Sequence, residues 1–179
     1  MHEIALRLAA KHFDKRLIEN SFRGALIQGM IEPFLAPGGW RYIGDGWSGW
    51  DFERSDGAKL EVRQSAAHQT WSDPQSTKSL GTFDTRAKIG FYDNGGSKWT
   101  VSPGRPAHVC LFAWNGTVGE ETDHRDQTQW DFYVIPTPLL PVGQKTITLD
   151  GVRRLAVQAG QDGAVSIHEL LSRVNSLLG

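Results

Sequence analysis

Two apolar runs in the second half of the chain constrain its fold most. Val109-Cys110-Leu111-Phe112-Ala113-Trp114 and Trp130-Asp131-Phe132-Tyr133-Val134-Ile135 have strand length and β-type composition, and both read as central strands of a sheet. Helical patterns flank the strand region. The first 36 residues read as helix, and from Asn20 the apolar positions Phe22, Leu26, Ile27, Met30, Ile31 and Phe34 recur at helical spacing. Gln28 and Glu32 fall together on the opposite face. Pro33 disfavours helical geometry at Glu32, which predicts a bend or an end there, and Pro37-Gly38-Gly39 is a clear breaker. At the other end Ser166 and Glu169 form a capping box ahead of the stripe Ile167, Leu170, Leu171, Val174 and Leu178. Helices outside and strands between give an α/β fold: a central mixed β-sheet flanked by helices, in one domain spanning residues 1–179.

Shorter strands fill the region after the breaker. Trp40-Arg41-Tyr42-Ile43 is one and Trp50-Asp51-Phe52-Glu53 a second; Ser55-Asp56-Gly57 then turns the chain into Lys59-Leu60-Glu61-Val62-Arg63-Gln64. In that third strand Leu60 and Val62 point one way and Lys59, Glu61 and Arg63 the other, so one face is expected to be core and the other polar. Residues 70–106 are poor in aliphatics and rich in Ser, Thr, Gly, Asp and Pro, which predicts a functional insertion or irregular strands. The acidic stretch Glu120, Glu121 and Asp123 reads as a solvated loop.

Composition narrows the function classes. Folded-surface scaling lets a chain of this mass bury about 70% of its surface, so no staples are needed. The lone Cys110 excludes an intramolecular disulfide framework and a Cys-based zinc cluster, and fits a reducing compartment. No apolar run approaches a membrane span, and Glu3, Arg7 and Lys11 stand where a signal peptide would be apolar, so a cytoplasmic protein without a membrane segment is expected. The net charge of −1 excludes a basic field over the whole surface. Six scattered histidines form no HxH or HxxxH pair, which argues against zinc, and Cys110 inside an apolar strand reads as core. Asn115-Gly116-Thr117 reads as a turn.

The chemistry is concentrated between Trp50 and Arg63. Asp51 opens a strand, a turn follows, and Glu61 sits on the next strand two residues before a cation. Paired strands can bring both carboxylates within reach of one ion, and strand alternation puts Glu61 and Arg63 on one face. Mg²⁺ takes one or two carboxylates and completes its octahedron with water and phosphate oxygens. Such an ion polarises a phosphoryl oxygen and supplies a hydroxide nucleophile, and a neighbouring cation stabilises charge as the bond breaks.

The string Asp51-x9-Glu61-x-Arg63 after an N-terminal helix resembles the PD-(D/E)xK nuclease superfamily, which has the restriction endonuclease-like fold. More narrowly, Arg23-Gly24, Gly39-Trp40-Arg41, Trp50-Asp51-Phe52, Glu61-Val62-Arg63-Gln64-Ser65-Ala66-Ala67, Gln69-x-Trp71 and residues 129–137 resemble an uncharacterised bacterial group of that type. The resemblance covers roughly residues 20–140. It implies Asp51 and Glu61 as ligands of Mg²⁺ or Mn²⁺, with the Val62 backbone carbonyl as a third. Arg63 stands where the family has lysine; arginine keeps its proton and offers a planar fork, so it suits charge stabilisation better than base catalysis. Gln28 stands where the family often has a glutamate, with Glu32 one turn later as a substitute. Trp50 precedes Asp51 in place of proline.

Nucleic acid, DNA foremost, is the partner so implied, and cutting two strands would call for a homodimer. Gln64 and Gln69 flank the motif, with Ser65 and His68 between, and are expected to border nucleic acid. Arg86 and Lys88, with Lys78, Lys98 and Arg105, outnumber Asp73, Asp84 and Asp93 and make 70–106 a candidate phosphate-contacting surface. Two further readings stay open: a nuclease-derived domain without turnover that binds nucleic acid or a protein, and an aromatic-lined small-molecule or sugar-binding module using Trp47, Trp50 and Trp71.

Overall fold

The computed structural model describes residues 2–44, 48–72, 79–92 and 98–179. Helix α1 (Glu3–Phe13) leads into α2 (Asn20–Leu35). α1 buries no residue and meets the body where His12 stacks on Phe22 at 3.9 Å between ring centroids. α2 passes through Pro33 without ending there. Its buried stripe, Arg23, Ile27, Ile31 and Leu35, runs into the last turn, and packing along that stripe holds the turn helical despite the proline. Gly39 then reverses the chain at φ +80°, the left-handed region that favours glycine.

Five strands form the main sheet: β1 (Trp40–Tyr42), β2 (Phe52–Arg54), β3 (Lys59–Ala66), β7 (Val109–Asn115) and β8 (Trp130–Pro136), adjacent in that order. β1 to β3 are antiparallel through the Ser55-Asp56-Gly57 turn, β3 and β7 run parallel, and β7 and β8 antiparallel, so the sheet is mixed. The parallel pair needs a crossover, and residues 67–108 provide it.

β8 is an edge strand, not a central one. Its outer side is closed by Val165, which exchanges two backbone hydrogen bonds with Phe132, and by Gln161, whose amide bonds Val134 N–H and Phe132 C=O. The apolar sequence of β8 reflects covered faces, not partners on both edges.

Both sheet faces are covered. On one, α2 and α4 (Leu170–Leu178) pack Ile27, Ile31, Leu35, Leu170 and Val174 against Leu60, Val62, Leu111 and Phe132. On the other, α3 (Leu149–Gln158) and the two-stranded sheet of β4 (Thr82–Asp84) with β9 (Thr146–Thr148) pack Phe83, Ile147 and Val152 against Cys110, Phe112 and Tyr133. The second face of β3 is therefore not a polar surface: Glu61 is only 5% exposed. The crossover carries regular structure, since β4, β5 (Lys88–Tyr92) and β6 (Trp99–Gly104) lie within it and β5 pairs with β6 as a separate hairpin. Before α4 the Ser166–Glu169 capping box is formed. No helix among the described residues is long and apolar enough to cross a membrane.

Candidate active site

β2 and β3 separate just beyond the Phe52–Leu60 pair, and the candidate site fills the opening. The Asp51 N–H still donates to Leu60 C=O at 2.9 Å, and the Asp51 C=O accepts from Ile43 N–H at 2.9 Å. Its side chain then takes the place of the missing strand partner: Oδ2 accepts from Val62 N–H at 2.6 Å and Oδ1 from Gln28 Nε2 at 2.8 Å. α2 thus delivers Gln28 onto the strand-opening aspartate, and Tyr42 Oη donates to the same amide's oxygen at 3.3 Å. Burial raises the Asp51 carboxyl to about 6; the Val62 N–H opposes that, the Glu61 charge adds to it, and Arg63 and Lys88 oppose it.

Glu61 is the buried acid. It sits opposite Cys110 of the parallel neighbour β7, with Cys110 Sγ 3.9 Å from Oε2. Burial first, and the Glu61 charge second, push the Cys110 thiol up to about 12, so it is no nucleophile. Two cations meet at Oε1: Arg63 Nη2 at 2.5 Å and Lys88 Nζ at 3.0 Å. Strand alternation dictates the first, since Arg63 is two residues on. The second is delivered by the β5–β6 hairpin. That hairpin docks through an edge-on contact of Phe91 with Trp50 and through Lys88 Nζ bonds to Gly49 C=O at 2.8 Å and Ser48 C=O at 3.2 Å. Close strand approach requires glycine at Gly90, where a Cβ would meet Thr100 O at 2.5 Å.

Of the basic residues of 70–106, Lys88 and Arg105 are held within the fold, while Arg86 and Lys98 are exposed. Lys88 points to Glu61, and the guanidinium of Arg105 is tied to the carbonyls of Thr85, Leu140 and Pro141. Arg86 is exposed but pairs with Asp84 at 3.3 Å. Lys78, Asp73 and Asp93 lie outside the described residues.

Beside the carboxylates opens a polar cleft of about 490 Å³, bordered by Gln28, Asp51, Arg63, Gln64 and Gln69. Gln64 and Gln69 reach it, but both side-chain oxygens accept from the buried Arg23 guanidinium, at 2.5 and 2.9 Å. Glu32 is exposed and does not line the cleft. Trp71 is 69% exposed at the cleft, whereas Trp50 is engaged by Lys59 over its ring at 3.7 Å and by Glu53 at its indole N–H. Trp47 lies outside the described residues. An aromatic binding platform therefore has one free member among the described residues.

Two features of the site lie beyond the sequence reading, and only one of them left a local signal. The Lys88 contact depends on how a hairpin folds back, and no local pattern encodes that. Arg23 did leave a signal: it is the one charged residue in an otherwise apolar i, i+4 stripe, Arg23, Ile27, Ile31, Leu35.

The residues present suit a hard divalent cation. Among the described residues no cluster of three His, Cys, Asp or Glu side chains could hold a metal, so an ion here would rest on Asp51, Glu61 and backbone oxygens. Asp51 and Glu61 sense each other's charge, and burial keeps Asp51 at about 6 even with two cations nearby. Both acids supply only oxygen donors, with Arg63 and Lys88 already beside Glu61. Because Leu60 bonds Asp51 and residues of a strand alternate their bonding edge, Val62 turns its N–H and C=O to the same side as the Asp51 carboxylate. No protein-family model, curated protein or solved structure matches this chain.

Proposed function

We propose that this chain hydrolyses nucleic-acid phosphodiesters, DNA foremost, as a D…ExR variant of the PD-(D/E)xK site on a restriction endonuclease-like fold. The observation that carries the reading is Lys88 Nζ at 3.0 Å from Glu61: this lysine, from another strand, would take the part of the one missing from the Glu61-Val62-Arg63 string. Asp51, Glu61 and the Val62 carbonyl would hold Mg²⁺ or Mn²⁺, which when bound polarises a phosphoryl oxygen and lowers the pKa of a water.

The remaining work falls to the chain's own groups. Val62 N–H and Gln28 fix the Asp51 carboxylate by both oxygens, so it does not reorganise as charge moves. Arg63 borders the cleft and presents a planar fork to phosphate oxygens. Lys88, held by Ser48 and Gly49 carbonyls, is a fixed positive charge beside Glu61. Cover on both faces of the sheet keeps Glu61 out of bulk water, which strengthens each of these interactions.

The test is cleavage of DNA and RNA with Mg²⁺ or Mn²⁺ by the parent, Asp51→Asn and Glu61→Gln. Activity in the parent and its loss in both variants is expected. Equal activity in all three overturns the mechanism.

One observation favours a second reading, a nuclease-derived binding domain. The charges of Asp51 and Glu61 are balanced in number by Arg63 and Lys88 without any ion, and Gln28 adds no third carboxylate. Arg63→Lys separates the two. With Lys88 already supplying the lysine, cleavage changes little; a disabled site gains cleavage from none.

A further inference from the structure

Arg23 carries a buried charge that no carboxylate among the described residues neutralises. It is 1% exposed, and its guanidinium donates to Gln64 Oε1, Asn20 Oδ1, Gln69 Oε1 and the Ile18 carbonyl, all uncharged oxygens. Among the described residues it has no ion pair, and burial lowers its pKa to about 10. Buried cations are ordinarily paired, because an unpaired charge away from water is costly. Here the wall that holds the charge is also the wall of the cleft: Asn20, Arg23, Gln64 and Gln69 all line it.

The next residue is independently informative. Gly24 lies inside α2 and lines the same cleft. Its φ is not positive, and a Cβ built on it meets nothing within 4 Å. A glycine inside a helix is about 1 kcal/mol less favourable than alanine, and neither backbone geometry nor packing asks for it here. What the glycine provides is room above the helix surface, next to a cation that has no ion pair among the described residues.

We propose that the cleft between the amino-terminal half of α2 and the end of β3 is a phosphate subsite, holding a nucleic-acid backbone phosphodiester beside the one that is cut. The proposal rests on the nucleic-acid reading of the neighbouring carboxylate site and deepens it. Arg23 provides the charge, Gln64 and Gln69 hold its guanidinium in place, and Gly24 lets the backbone come close to the helix. Arg63 marks the end nearer Asp51. Two acids also line the cleft: Asp51 belongs to the carboxylate site, and Asp84 is paired with Arg86. Trp71, exposed at the same cleft, offers a face on which a base of the bound strand can stack.

Gly29 is an internal control: it is in the same helix, also meets nothing within 4 Å, and does not line the cleft. Fluorescein-labelled duplex DNA, single-stranded DNA and RNA are titrated in EDTA with the parent, Gly24→Ala, Gly29→Ala and Arg23→Gln. Both glycine variants should melt no lower than the parent. Gly24→Ala should bind at least one probe about tenfold more weakly, and Gly29→Ala as the parent does. Arg23→Gln, where it folds, should lower the slope of log Kd against log salt by about one.

Parent-like binding by Gly24→Ala overturns the subsite, as does an equal loss in Gly29→Ala or no binding by the parent. The same preparations assayed for cleavage with Mn²⁺ separate this result from the hydrolase reading. Gly24-dependent binding without cleavage sinks the hydrolase and keeps the subsite. Cleavage with Gly24-independent binding does the reverse.

Discussion

Lys88 and Glu61 lie on strands of different sheets and meet at 3.0 Å, Nζ to Oε1. The ammonium is also held by two carbonyls, so one side chain joins the β5–β6 hairpin, the loop at Ser48 and Gly49, and the buried acid of β3. If this contact belongs to catalysis, Lys88→Met should reduce metal-dependent cleavage by about 100-fold, the usual cost of removing one preorganised charge-stabilising group. Lys88→Arg keeps the charge but not the compact ammonium, and should recover only part of the rate. Single-turnover rates on a labelled duplex give the measurement. An unchanged rate in Lys88→Met would assign the contact to hairpin docking alone.

Gln28→Glu tests the metal without any assay of activity. It sets a carboxylate where an amide now donates to Asp51 Oδ1 at 2.8 Å. In EDTA the like-charge contact should lower Tm by about 2–4 °C, the equivalent of roughly 1 kcal/mol in a chain of this size. Added Mn²⁺ should restore the loss and raise Tm above that of the parent in Mn²⁺. A Tm indifferent to Mn²⁺ in both proteins would remove Asp51 as a ligand.

His124 gives stability a pH dependence of known sign. Its ring is buried, with Nδ1 accepting from Ile18 N–H at 3.0 Å and Nε2 against the His68 carbonyl at 3.1 Å. Burial, aided by the Arg23 charge, lowers its pKa to about 4. Below about pH 6.5 the unfolded chain binds a proton that the folded chain refuses until about pH 4, so this residue makes stability fall as pH falls through that window. Asp51, raised to about 6, contributes the opposite slope over much of the same range. Thermal melts in EDTA should therefore show Tm rising with pH in Asp51→Asn and falling with pH in His124→Gln, where glutamine offers one donor and one acceptor. Two parallel profiles would contradict the assignment.

Cys110 should be silent in the folded protein. Its thiol is buried in the second core and pushed up to about 12, chiefly by burial. Alkylation by iodoacetamide at pH 8 should proceed only at the rate of unfolding, and denaturant should make it complete within minutes. Mass spectrometry over a time course reads this directly. Fast labelling under native conditions would mean that β7 opens locally.

Local patterns were legible where local physics decides. The Ser166–Glu169 capping box, the Ser55-Asp56-Gly57 hairpin and the alternation that puts Glu61 and Arg63 on one face all follow from backbone geometry over a few residues. The reading failed where a neighbour overrides the local preference. Pro33 does not end α2, because Ile31 and Leu35 remain packed. The 130–135 run is an edge strand, because apolar sequence reports covered faces and not lateral partners. Gln161 and Val165, which close that edge, carry no signal of doing so.

The candidate site divides in the same way. The sequence by itself determined the mixed α/β class and the placing of Asp51 just ahead of β2, beside the strand that carries Glu61, since a short turn leaves paired strands little freedom. Tertiary structure decided which charges surround them. The β5–β6 hairpin brings Lys88 to Glu61, α2 brings Gln28 to Asp51, and Arg23 is buried against Gln64 and Gln69. Each of these joins segments far apart in the chain, and such contacts are fixed by the packing of whole elements, which no window of sequence contains.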